Sequence, residues 1–124
     1  MKTVIVVDTN IIIQYLQTGQ GVLTSAYEKY TMQISSATYT ELLASSTFKD
    51  VSLEKEVLEF ITKYFTVKDV TKAIAHQAAV LVREYELNLA SAYIAASAMV
   101  EGVELLSDDK KTFGKIADLK LLNL

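Results

Sequence analysis

Two kinds of apolar run alternate along this chain. The first, Val4 to Val7 in "VIVVDTNIII", is an unbroken block of β-favouring residues without polar alternation, the pattern of a strand buried on both faces. The second recurs at helical spacing, most plainly in "SLEKEVLEFITKY", where Leu53, Val57, Leu58, Ile61 and Tyr64 share one face behind Ser52 as a plausible N-cap. The first strand leads into a short helix from about Asn10 to Gln17, broken by "TGQG", and a second helix from Val22 to Tyr30. "MQISS" reads as a short strand, followed by a helix that begins near Ser36, runs through "ATYTELLASS" and carries Glu41 in its early turns. After the amphipathic helix come a weaker strand, "FTVKDV", and a helix, "VTKAIAHQAAVLVREYE", with Thr71 near its start. "NLASAYIAASAMVEG" is a helix rich in small residues, placed for Asn88 to cap and Gly102 to end. "VELLS" is a strand, "DDKKTFGKI" a loop with a short helix, and "LKLLNL" a last strand. Strands alternating with helices predict an α/β fold: a central parallel sheet with helices on both faces, joined by right-handed crossovers.

Within that pattern, Asp8 is out of place. A strand buried on both faces has no room for a charge, so Asp8 marks where the strand ends and the chain turns. In an open parallel sheet that edge is where ligands bind. Asp108 and Asp109 follow "ELLS" at the end of a later strand, and Glu41 sits early in the helix that leaves the second strand. All four acids therefore share one edge of the sheet. Taken singly, each has an ordinary explanation: Asp8 as a cap, Glu41 as a solvated helix residue, Asp108 and Asp109 as turn and cap residues. Their joint placement points further. Converging carboxylates repel unless a positive charge lies between them, and these segments hold no cluster of arginines. A hard divalent cation, Mg²⁺ or Mn²⁺, is the natural neutraliser, and such ions activate water for attack on a phosphodiester.

Composition narrows the chemistry. A chain of 124 residues, 51% apolar, is the size of one domain, expected to span residues 1–124. The absence of cysteine excludes disulfides and thiolate sites, and a single histidine, His76, argues against a histidine-rich zinc site, so a metal here is held by oxygen. The formal charge of −3 argues against a broad basic surface. Lys2 followed by five residues and then Asp8 is too short for a signal peptide, which makes the cytoplasm the expected location. The uncharged run Leu87 to Val100 falls short of the ~20 apolar residues that span a bilayer, and no membrane association is expected.

These segments also resemble a known family. "VIVVDTNIII" is similar to the opening strand of PIN-domain nucleases, "SSATYTELLAS" to their second motif with its glutamate, and "YELNLASAYIAASAMVEGVELLSDDKKTF" to their C-terminal half. Length and layout resemble most the VapC-like toxins, single-domain ribonucleases paired with an antitoxin. The resemblance implies a three-layer α/β/α fold, Mg²⁺ or Mn²⁺ as cofactor, cleavage of single-stranded RNA, a VapB-like antitoxin partner and a homodimer. Carried over by position, it makes Asp8, Glu41 and Asp109 the metal ligands and catalytic acids, with Asp108 a weaker match beside them and Asn10 a supporting polar residue. One position departs from the pattern. The family has an aspartate opening its alanine-rich helix in a "D-A-x-I-A-A" run, and here "SAYIAASA" places Ser91 there. A hydroxyl is a weaker Mg²⁺ ligand than a carboxylate, so lower metal affinity is expected. A rival reading follows, in which the fold has lost catalysis and serves as an RNA-binding or protein-interaction module.

The remaining polar candidates have two readings each. Lys110, Lys111 and Lys115 form a solvated face or hold RNA phosphates beside the metal. Tyr27, Tyr30, Tyr39, Tyr64 and Tyr85 fall on predicted helices, where packing explains them as well as base stacking does. His76, mid-helix, reads as a partly exposed helix residue rather than a general base.

Overall fold

The run Val4 to Val7 forms the strand around which the sheet is built. In the computed structural model, which describes residues 1–45 and 51–124 and only the backbone of residues 51 and 52, strand β1 (Thr3–Val7) lies between β2 (Tyr30–Ser35) and β4 (Glu104–Leu106). β3 (Thr66–Lys68) pairs with the far side of β2, giving the order β3-β2-β1-β4 with every pairing parallel. β1 shows why its sequence is uniformly apolar: Ile5 and Val7 enter one core and Val6 the other. Both faces are covered, so alternation is absent.

One core is closed by α1 (Thr9–Thr18), α2 (Leu23–Lys29) and α4 (Val51–Tyr64), which bring Ile11, Ile12, Leu23, Ala26, Val57 and Ile61 against the sheet. α3 (Ser36–Ala44) adds Leu42 to the same core. The other core holds Ile74, Ala78 and Leu81 of α5 (Lys72–Tyr85), the small side chains of α6 (Leu89–Glu101), and Phe113 of α7 (Lys110–Phe113). The result is the predicted α/β/α arrangement, four parallel strands flanked by seven helices among the described residues. Ala92, Ala95, Ala96 and Ala98 are fully buried, which lets α6 lie close against both α5 and the strands. No helix among the described residues is long and apolar enough to cross a membrane.

The predicted caps hold where a side chain can reach a free N–H. Thr71 accepts from Ile74 N at 3.2 Å and Asn88 from Ser91 N at 2.8 Å, while α6 ends at Gly102 with a left-handed φ of 70°. α3 is capped by Ser35, one residue before the expected start, through a 3.0 Å bond from Ala37 N. The side chain of Ser52 and the end of "ELLASS" lie outside the described residues. Two expectations are corrected. Tyr30 opens β2 instead of closing a helix, because it pairs in register with Thr3. "LKLLNL" is a single bridge between Leu105 and Leu121, not a full strand. β4 is only three residues long, so its outer edge offers Leu105 alone to exchange bonds with Lys120 O and Leu122 N.

Candidate active site

β1 and β4 end side by side, and their ends are tied together. The backbone N–H of Asp8 donates to Leu106 O at 2.9 Å. Asp8 occupies the N-cap position of α1, yet its side chain does not cap that helix. Instead Oδ2 accepts a 2.8 Å hydrogen bond from the Ser107 hydroxyl. Asp8 is buried, with only 4% of the residue exposed. Burial raises its pKa from 3.8 to about 6; hydrogen bonds from Ser107 and the Thr9 N–H oppose the rise, and the negative charges of Glu41 and Asp109 add to it.

The other two acids are positioned by hydroxyls. Thr9, buried next to Asp8, places its Oγ1 2.7 Å from Glu41 Oε1 and 3.0 Å from Thr38 Oγ1. A hydroxyl has one proton, and the shorter contact to the charged acceptor takes it, leaving Thr38 to donate in turn to Thr9. This pair aims Glu41 from α3 toward the end of β1. Ser107 does the same for Asp109: while donating to Asp8, it accepts from Asp109 N at 3.0 Å. Asp109 also caps α7, accepting from Thr112 N at 3.1 Å. One buried serine thus holds Asp8 and Asp109 in a fixed relation.

Asp8, Glu41 and Asp109 are therefore brought within electrostatic reach of one another. Asp108 is not. It is exposed, it is absent from the charges that act on Asp8, and it lines a neighbouring cleft with Lys110. Asn10 is exposed on the first turn of α1, and Lys110 and Lys111 are exposed on α7. Ser91, half buried, is the third residue of α6, its N–H held by Asn88. His76 is exposed on α5, as expected. The tyrosines are explained by packing: Tyr27 stands edge-on to Tyr64 at 4.9 Å, and the Tyr85 hydroxyl accepts from Ala117 N at 3.0 Å. Thr9, Thr38 and Ser107 were not singled out by sequence reasoning. The signal for two of them is a hydroxyl residue directly beside an acid at a strand end, in "VVDT" and "LLSDD".

Among the described residues, no ion pair joins a protein cation to these acids. The ion pair found among the described residues is Lys68–Glu101, at 3.3 Å between β3 and α6. The donors are all oxygen, and one is a buried carboxyl whose ionised form is disfavoured until positive charge arrives, which fits a hard divalent ion. Among the described residues, no three acids are already drawn into one coordination shell.

The family model described as "PIN domain" matches residues 5–119. Among solved structures, the chain is similar to one in VapBC2 from Rickettsia felis bound to a promoter DNA fragment, with a TM-score of 0.84, 21% identity, and coverage of 98% of this chain and 99% of that one. It is similar to a chain in a toxin-antitoxin complex from Klebsiella pneumoniae, with a TM-score of 0.74, 26% identity and coverage of 92% and 93%. VapBC-1 from nontypeable Haemophilus influenzae gives a TM-score of 0.82 at 18% identity, with 98% of each chain covered. No curated protein matches the chain in sequence.

Proposed function

From the premise that this chain belongs to the PIN-domain family, we propose that it is a VapC-like toxin, an Mg²⁺- or Mn²⁺-dependent ribonuclease that cleaves single-stranded RNA. One observation carries the reading: three acids from separate segments lie within electrostatic reach at the C-terminal edge of a parallel sheet, with Asp8 buried and its pKa raised by that burial, and by the charges of Glu41 and Asp109, to about 6. Asp8, Glu41 and Asp109 are the residues that would hold the ion, with Asn10 and the Ser91 hydroxyl in support. When bound, the ion supplies an activated water and positive charge for the leaving oxygen of a phosphodiester.

The chain's own residues prepare that chemistry. Ser107 fixes Asp8 and Asp109 relative to each other, so they need little reorganisation to share a ligand. Thr9 holds the Glu41 carboxylate in place by donating to it. Lys110 and Lys111, unpaired among the described residues, are free to meet RNA phosphates. Solved complexes of toxin with antitoxin lie close in fold, which supports a VapB-like antitoxin as partner; the resemblance to such toxins also supports a homodimer and a cytoplasmic site of action.

The direct test is incubation of unstructured RNA with the purified chain. Cleavage should require Mg²⁺ or Mn²⁺, and should stop on chelation or with Asp109→Asn. Persistent cutting after chelation contradicts the reading. Metal binding without cleavage of any RNA favours the interaction module, with Ser91 as the position where catalysis was lost.

A further inference from the structure

A cleft of about 340 Å³ opens directly beside Ser107, between α1 and the segment that follows β4. Its floor is apolar, formed by Ile11, Val22, Leu106 and Leu122. Its more exposed lining brings the Gln14 amide from α1, the Asp108 carboxylate from the loop after β4 and the Lys110 ammonium from α7, beside Asn123 and Leu124. None of the Gln14, Asp108 and Lys110 side chains is engaged by another among the described residues. Gly21 borders Gln14, and a Cβ at that position would stand 3.8 Å from Gln14 Oε1. A hydrogen in that place leaves the amide uncovered toward the cleft.

An apolar floor with a few convergent polar groups is the composition of a small-ligand site, and the volume lies at the small end of that range. The cleft adjoins the acids through Ser107, which lines it and also bonds Asp8. A nucleotide next to a phosphodiester held at Asp8 has this cleft within reach. We propose that the cleft seats the base of the nucleotide flanking the scissile phosphate, with guanine preferred through Asp108, Lys110 contacting the adjoining phosphate, and Gln14 contacting the base edge. This rests on the ribonuclease reading and adds the element that selects the RNA. Guanine is chosen because its Watson–Crick edge presents two neighbouring donors, N1–H and N2–H₂, to a carboxylate that accepts two hydrogen bonds. Adenine, cytosine and uracil each offer one donor position there. The apolar floor takes the face of any base, so selection falls to the polar groups.

The assignment separates Asp108 from its neighbour: Asp109 serves the acidic group and Asp108 the cleft. The test uses the isotopically labelled, metal-free chain in chelator, titrated with the four nucleoside 5′-monophosphates and followed by NMR. Guanosine monophosphate should bind tightest and shift the amides of Gly21, Ser107 and Asn123. Asp108→Asn should weaken it by roughly tenfold and remove the preference, the size expected for one bidentate contact. Lys110→Ala should weaken all four nucleotides alike. Shifts elsewhere on the chain, or equal affinity for all four, would overturn the proposal. A parallel Mn²⁺ titration should give the same affinity for Asp108→Asn as for the wild type, and a loss as large as that of Asp8→Asn would place Asp108 in the metal site and overturn it. Guanosine monophosphate bound in the cleft by a chain that cuts no RNA would support the subsite and remove the nuclease reading instead.

Discussion

Ser107 Oγ donates to Asp8 Oδ2 at 2.8 Å across 99 positions of sequence, and the same oxygen accepts from the N–H of Asp109. The contact joins the ends of two adjacent parallel strands and fixes two of the three acids with a single neutral group. A hydroxyl suits this place because it both donates and accepts.

Removing that hydroxyl should therefore act on both acids. Ser107→Ala leaves the Asp109 N–H unpaired and takes from Asp8 a bond that stabilises its ionised form. Loss of about 1–3 kcal/mol of stability is expected from the unpaired group, read by denaturant unfolding. The Asp8 pKa should rise further, moving the acid limb of the cleavage profile to higher pH. A stability loss with no change in that limb would mean that Ser107 is structural only.

The raised pKa of Asp8 has a consequence for the metal-free protein. Its folded value of about 6 exceeds the unfolded 3.8, so between these values the folded state binds more protons and stability falls as pH rises. The cost is absent below about pH 4 and complete above about pH 6, amounting to up to about 3 kcal/mol. Asp8→Asn keeps an acceptor for Ser107 and removes the charge. It should raise the melting temperature in chelator at pH 8 and leave it nearly unchanged at pH 4. An equal effect at both pH values would contradict the buried, charge-strained carboxyl.

Much of this site is legible in the sequence because strand ends are. A charge closing the apolar run of β1, and a second acid after "ELL", place Asp8 and Asp109 at one edge without coordinates. The separation of Asp108 from Asp109 is legible only through the family resemblance, which makes Asp108 the weaker match; the residue pattern alone does not give it, since it depends on how the chain enters the four-residue helix α7. Nor does that pattern give the Thr9–Glu41 and Ser107–Asp8 contacts, which depend on side chains meeting across elements. The last expected strand failed for a related reason: "LKLLNL" has the composition of a strand, but whether it pairs over its length is decided by the short edge it meets.

Thr9 should matter through Glu41. Thr9→Val preserves shape in the buried position while removing the 2.7 Å contact, so Glu41 gains freedom and the carboxylate loses a donor. Metal affinity should fall by less than in a variant lacking Glu41, and cleavage should fall with it. Thr9→Ser, which restores the hydroxyl, should recover both. Failure of serine to rescue would assign the effect to packing.

Ser91→Asp tests the departure from the family pattern. An acid at the third position of α6 is favoured by the helix dipole and by a cap already formed by Asn88, so the fold should accept it. Mn²⁺ affinity should rise by roughly tenfold, and cleavage with it, as the ligand charge count increases. Melts with and without Mn²⁺ should show a larger metal-induced stabilisation than in the wild type. Unchanged affinity and cleavage would mean that Ser91 does not face the acids.

The central claim, that Asp8 and its neighbours form a divalent-cation site, is tested most directly by calorimetric titration of Mn²⁺ into the wild-type chain, Asp8→Asn and Glu54→Gln. Glu54 is exposed on the first turn of α4 and serves as a matched loss of one charge. The wild type and Glu54→Gln should bind alike, and Asp8→Asn should lose most of the affinity. Equal effects of the two substitutions, or no binding by the wild type at millimolar Mn²⁺, would contradict the claim.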